Sequence, residues 1–345
     1  MPTLSTRPPR RAPPMHARAF VSLLVLSLLS PIGAAAADAP YLGSIHRHVM
    51  LASTTTADGD GNPYAVVVAP VSAGKIHRDD VLITDFNNVS NLQGTGAAIV
   101  DYRPATRQTT IFASLPQHLP QCPGGIGLTT AMAMLKSGWV IVGSTPSTDG
   151  TTRTLGKGCL LVLDPTGKLA ATWSGPAIDD PWGNMAAIDE GSRATLFVSM
   201  SGFGVPALNV HDPKTGFPVT VRAATVLRIA LSIAQGRPPV ITQETVVANG
   251  FGQRADRDAF LIGPTGIALD AKGTLYVSDA LANRIAAIDD APTRTTSAGL
   301  GRTVTDGGLL RRPLAMTMAS NGDLLVTNGN NGQVVEINPA TGKQR

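Results

Sequence analysis

Glutamate is almost absent from this chain of 345 residues: only Glu190, Glu244 and Glu336 occur. Aromatic residues make up 4% and charged residues 15% of the sequence. Good helix formers with charged heads are therefore too few to build helical bundles or coiled coils. Cysteine occurs twice, at Cys122 and Cys159, too sparsely for a disulfide-dense scaffold or a cysteine-rich zinc module. After residue 37 no apolar run is long enough to span a bilayer. Low charge does not mean disorder here, because 43% of the residues are hydrophobic. What the chain has in abundance is turn formers, 36 Gly and 26 Pro, between short apolar runs. That pattern reads as all-β.

The formal charge of +4 is also less than it looks. Arg7, Arg10, Arg11 and Arg18 precede residue 38, where no acid occurs. Without those four, basic and acidic residues balance at 24 each. Net charge thus gives no reason to expect a nucleic-acid or membrane partner. Residues 1–37 read as a secretory signal peptide: a basic stretch, an apolar core over 19–29, then Pro31, Gly33 and the small residues Ala35-Ala36-Ala37. The expected cut lies before Asp38, leaving 38–345 as one domain in the periplasm or secreted. In such an oxidising compartment Cys122 and Cys159 can pair as a disulfide. One lies in the loop leading into the second repeat unit and the other opens that unit's third strand.

Two segments align without a gap at an offset of 49 residues. Gly263-Pro-Thr-Gly-Ile-Ala-Leu-Asp-Ala-Lys-Gly-Thr-Leu-Tyr-Val-Ser-Asp279 matches Arg312-Pro-Leu-Ala-Met-Thr-Met-Ala-Ser-Asn-Gly-Asp-Leu-Leu-Val-Thr-Asn328. Each reads strand, glycine turn, strand, polar turn, strand. A repeat of this length made of short strands is the signature of a β-propeller. The same grammar gives a first blade from 64–69, 81–86, 97–102 and 109–114. A second comes from 128–135, 139–143, 159–163 and 168–173. A third comes from 184–188, 195–199, 226–230 and 241–248, interrupted by an insertion over 201–222. The 49-residue pair supplies the fourth and fifth, with a weak outer strand expected near 293–298.

The segment Gly263–Asp279 followed by Asn283-Arg-Ile resembles an NHL repeat. With Asn62-Pro-Tyr-Ala-Val-Val-Val and residues 80–96, the chain resembles exported bacterial NHL-repeat propellers of unassigned activity. The resemblance implies six blades, whereas five are countable. Two explanations offer themselves: a blade lost by C-terminal truncation, or one hidden in the irregular stretch between Ser201 and Gly263. The first is preferred. It predicts a wedge-shaped gap between the blade holding 64–69 and the blade holding 314–318.

Propeller ligands usually meet the face formed by the loops leading into each first strand and those joining second to third strands. In this sequence those loops carry Asn62, Asn88, Asp180, Trp182, Asn184, Arg312 and Asn330, a candidate rim of directional hydrogen-bonding groups around one flat apolar surface. Asp and Asn at such turns also cap their own backbone, and Asp279 and Asn283 are read as structural. Metal motifs are weak. Asp58-Gly-Asp-Gly-Asn62 opens like a calcium loop, but Pro63 and Ala69 stand where glycine and glutamate belong. His46 and His48 would share a face of a strand but lack further ligands. The favoured function is a non-catalytic binding scaffold, taking a small molecule or a protein at the rim, with no cofactor. The alternative is a hydrolase or lyase of the gluconolactonase-like propeller type, holding a divalent metal.

Overall fold

In the computed structural model, which describes residues 39–47, 49–57 and 59–345, the apolar runs are strands of five antiparallel sheets. Blade one is β1 (Gly61–Val68), β2 (Val81–Asn87), β3 (Ala98–Arg103) and β4 (Gln108–Ser114). Blade two is β5 (Leu128–Met134), β6 (Val140–Ser144), β7 (Cys159–Leu163) and β8 (Leu169–Trp173). Blade three is β9 (Pro181–Asp189), β10 (Arg193–Met200), β11 (Val221–Ser232), β12 (Val240–Asp256) and β13 (Phe260–Ile262). Blade four is β14 (Ile267–Leu269), β15 (Leu275–Asp279), β16 (Arg284–Ile288) and β17 (Arg302–Asp306). Blade five is β18 (Pro313–Met318), β19 (Leu324–Asn328) and β20 (Val334–Ile337). In each blade, strands adjacent in sequence are adjacent in the sheet.

The strands are apolar without alternation because both faces of most blades are buried. In β7, Cys159, Leu161 and Leu163 pack toward blade one, while Leu160 and Val162 pack toward blade three. The period of two thus survives inside a continuous hydrophobic run. Each fully buried Leu, Val or Ile in such a run contributes about 1.5–3 kcal/mol of transfer free energy. Four apolar cores form in this way, between blades one and two, two and three, three and four, and four and five. Gly273 and Gly322, matched in the repeat, turn the first strand into the second with φ of +87° and +86°, a conformation that side chains disfavour.

No apolar cluster among the described residues joins blade five back to blade one. On β1, Ala65 and Val67 pack against blade two, whereas Val66 and Val68 on the opposite face are 65% and 58% exposed. Val334 of β20 is 46% exposed. Among the described residues, no apolar packing closes the wedge expected from the repeat register. Blade five has three strands, and its β20 receives only the chain's last residues, through paired backbone bonds between Glu336 and Arg345. The Glu336 carboxylate also accepts the Tyr41 and Leu42 N–H groups at 2.6 and 2.9 Å, so the segment preceding β1 is clasped by blade five.

The sequence reading needs correction at several places. The stretch between Ser201 and Gly263 holds no extra blade. It holds β11, a 17-residue β12 and the short β13, which pairs Asp256 with Phe260 and Arg254 with Ile262. The outer strand of blade four is β17, not residues 293–298, which form no strand. His46 lies in an exposed irregular segment rather than a strand. His48, Asp58 and the whole of 1–37 lie outside the described residues. Cys122 and Cys159 are joined by a disulfide with Cα atoms 5.6 Å apart. It ties the loop before β5 to the start of β7.

Candidate functional site

The first strands β1, β5, β9, β14 and β18 line an axial channel of about 480 Å³ through residues such as Val66, Met132, Ala186, Ile267 and Met316, and Leu325 and Thr327 of β19 and Val334 of β20 line it on the side facing blade one. Its polar side chains are largely committed to backbone groups. Thr130 donates to the Trp182 carbonyl at 2.6 Å, Thr327 donates to that of Ala315, and Asn184 Oδ1 accepts the Met316 N–H at 3.3 Å. Asn184 is thus a tie between blades three and five inside the channel, not a rim group.

An aromatic cluster fills the mouth of the channel on the face where the candidate loops lie. Tyr64 stacks on Phe86 with centroids 4.3 Å apart, and Trp182 meets Tyr64, Phe86 and Phe260 at 5.8, 5.5 and 6.2 Å. Phe260 reaches the cluster from the β12–β13 hairpin, with a φ of 64° that is costly for a bulky residue and redirects the chain at the tip. Val205, from the insertion after β10, and Leu261 complete the cover. Burial pushes the Tyr64 phenol above its ordinary pKa. Trp182 is only 4% exposed, so it is a core residue of this plug and not an open platform for a ligand.

Asp180 also departs from the expected rim. It is fully buried, between Gly158 and Gly202, where a Cβ on Gly202 would collide with its carboxyl group. Neither of its oxygens has a hydrogen bond of ordinary geometry, although the Thr145 hydroxyl and the Phe203 N–H lie close by. Burial drives its pKa well above the usual carboxylate range, and neighbouring Asp179 adds to the shift. Asn62 and Asn88 serve their own loops. Asn62 donates to Asn87 at 3.0 Å, and Asn88 Oδ1 accepts the N–H groups of Ser90 and Leu92. Asn283 likewise accepts the Arg312 N–H at 2.6 Å, and Asp279 pairs with Arg284 at 3.0 Å.

Arg312 and Asn330 are the two candidates that come together. They line a cleft of about 770 Å³ on this face, outside the aromatic plug. Its other walls are Thr151 and Arg153 from the long β6–β7 loop, Leu208, His211, Phe217 and Pro218 from the insertion, and Arg254, Asp256 and Arg257 at the tip of the hairpin. Local hydrogen bonds preorganise each wall. The insertion turns back on itself where Asp212 N–H meets the Phe217 carbonyl at 2.9 Å, which presents the Phe217 ring. Gln253 clamps insertion to hairpin by accepting the Gly202 N–H at 2.7 Å and donating to the Phe203 carbonyl. Asp256 Oδ1 accepts two N–H groups of the hairpin tip while Oδ2 meets Arg312 at 3.0 Å. Asp149 accepts hydrogen bonds from the Thr154 hydroxyl, Arg153 and the Thr151 hydroxyl, which hold its carboxyl far below the usual range.

Arg153, Arg254, Arg257, Phe217 and Asp256 line the same cleft and were not singled out in the sequence reading. The signal was present as Arg254-Ala-Asp-Arg-Asp258, a dense charge cluster in a chain with few charges. Among the described residues no three His, Cys, Asp or Glu side chains converge, and Asp180 and Asn184 point into different environments.

No family model matches the chain, and no curated protein matches it in sequence. Solved structures are similar in fold. A catalytically inactive virginiamycin B lyase from Staphylococcus aureus with quinupristin is 13% identical, over 85% of this chain and 71% of that one, with a TM-score of 0.45. A structural-genomics target described as a gluconolactonase is 14% identical, over 85% and 78%, with a TM-score of 0.48. A PQQ-bound aldose sugar dehydrogenase from Streptomyces coelicolor is 16% identical, over 82% and 79%, with a TM-score of 0.46. These likenesses concern the β-propeller fold, and the chain described here is an all-β propeller of five blades.

Proposed function

We propose that this chain is an exported propeller that binds a small molecule on the face bearing the β12–β13 hairpin, without chemistry of its own. The observation that supports this reading is the cleft around Arg312 and Asn330. Excursions from blades two, three and five build it, each held in place by its own hydrogen bonds. Such convergence of few polar groups on a partly apolar concavity is what a small-molecule site requires. The axis offers less, because its mouth is filled by Trp182, Tyr64, Phe86 and Phe260.

Hydrogen exchange on the mature protein during a metabolite screen tests the reading. A binder is expected to slow exchange in 201–220 and 253–258 together. Protection confined to the channel strands, or turnover of the bound compound, counts against it. Export is tested by N-terminal sequencing of protein recovered from the periplasm or medium, where a first residue of Asp38 is expected.

A further inference from the structure

Resting on that reading, we infer that the cleft takes an organic oxyanion, a molecule with an apolar, flat body and a carboxylate or phosphate head received by Arg254 and Arg257. The argument starts from how the charges in the cleft are paired. The charge of Arg312 is paired with Asp256 at 3.0 Å and that of Arg153 with Asp149 at 2.7 Å. Arg254 and Arg257 have no carboxylate within ion-pair distance among the described residues, although they flank the same concavity. Two guanidinium charges are therefore left over on one wall.

Arg254 carries the stronger signal. It is half-buried, its Nε–H is buried without an acceptor, and its guanidinium carbon stands 4.8 Å from the centre of the Phe217 ring. Stacking on the ring fixes the plane of the guanidinium and leaves its N–H edge to meet a ligand. A buried donor without an acceptor costs free energy that a bound oxyanion would return through charge-assisted, bidentate bonds. Arg312 Nε is in the same condition, buried and without a partner, while its Nη1 is held by Asp256. The ligand's body is specified by the remaining wall, where Phe217, Leu208 and Pro218 offer apolar surface beside these donors. A bare inorganic anion would leave that surface unused. The charge of Asp256 is spent on Arg312 and on two backbone N–H groups, so it does not cancel the field at Arg254.

Calorimetry on the mature protein with four probes tests the inference: benzoate, phenyl phosphate, inorganic phosphate and the neutral benzamide. Benzoate or phenyl phosphate should bind at least tenfold more tightly than both benzamide and inorganic phosphate. Which of the two is tighter identifies the head group. Binding should weaken as sodium chloride rises from about 50 to 500 mM. Arg254→Gln and the more exposed Arg257→Gln should each weaken the preferred probe by tenfold or more. Arg237→Gln, in the exposed turn between β11 and β12, should leave it unchanged. If Arg254→Gln unfolds, Arg257→Gln alone decides. Benzamide binding as tightly as benzoate, or anion binding unaltered in the arginine variants, overturns the inference. Inorganic phosphate matching the organic anions overturns the assignment of an apolar body. Benzamide binding that survives Arg254→Gln and is lost in Phe217→Ala keeps the cleft as the site and removes only the oxyanion. If no probe binds, the inference falls, and hydrogen exchange with the metabolite screen decides separately on the cleft.

Discussion

Arg312 and Asp256 face each other at 3.0 Å across the cleft, joining the loop that leads into blade five to the hairpin that extends blade three. Their side chains are 17% and 15% exposed, so the pair is shielded enough to matter and wet enough to avoid most of the desolvation penalty. Asp256→Ala removes the carboxylate that also caps the hairpin tip and leaves Arg312 without its acid. The expected cost is about 1–2 kcal/mol in urea unfolding. New tryptic cleavage after Arg257 is expected in the folded variant. Unchanged proteolysis would show that the hairpin is held by the aromatic cluster alone.

Phe260 is the residue through which that hairpin closes the channel. Phe260→Ala removes contacts to both Phe86 and Trp182 and opens a void in the plug. A loss of about 3–5 kcal/mol is expected from the transfer and cavity terms together. Acrylamide should quench Trp182 fluorescence more strongly in the variant. Quenching that stays as weak as in the parent would mean that the cluster collapses onto the space.

The Cys122–Cys159 bridge pins the long β6–β7 loop, which supplies Arg153 to the cleft. Its sequence separation of 37 residues gives roughly 4 kcal/mol in the chain-entropy treatment. The double change Cys122→Ser and Cys159→Ser should lower the unfolding free energy in urea by an amount of that order. Reduction with dithiothreitol should reproduce it in the parent and do nothing to the variant.

Most of the blade plan was legible because burial on both faces leaves continuous apolar runs, as in Cys159–Leu163, punctuated by glycines such as Gly273 and Gly322 that occupy left-handed turns. The site was legible only in part. Arg312 could be placed from its position in the loop leading into a first strand and Asn330 from its position after a second strand, but their meeting with Arg254 depends on β12 running past its blade. The partner strand Phe260–Ile262 is three residues long and pairs with charged residues, so it reads as loop. Trp182 was misread for the same reason. Nothing local says that Phe260, from the far end of blade three, returns to cover it. Asp180 looked like a rim acid because its burial comes from Gly158 and Gly202, two close approaches that only the fold reveals.

Asp101 offers a pH test at the opposite end of blade one. Burial, reinforced by the Asp80 charge, raises its pKa to about 6, against a lowering by Arg103. Its folded pKa lies above the unfolded value of about 3.9. The native state therefore binds the proton more tightly, and stability is lost as pH rises from about 4 through about 6. Asp101→Asn should remove that slope. With allowance for solvent screening, it should be about 1 kcal/mol more stable relative to the parent at pH 7 than at pH 4. Parallel stability curves for parent and variant between pH 4 and 7 would refute the assignment.

The wedge between blades one and five exposes aliphatic side chains that closure of the ring would bury. Val66 and Val68 alternate with Ala65 and Val67, which pack against blade two, and Ile111 of β4 is 41% exposed on the same outward side. An exposed apolar sheet face favours self-association. Lysine on such a face discourages it at little cost to the fold, because these side chains already contact water. Val66→Lys with Val68→Lys should therefore change the unfolding free energy little, within roughly 1 kcal/mol. Light scattering of concentrated protein should fall clearly below that of the parent. Loss of several kcal/mol in this variant would mean that the face is covered in solution, and equal scattering would mean that it plays no part in association.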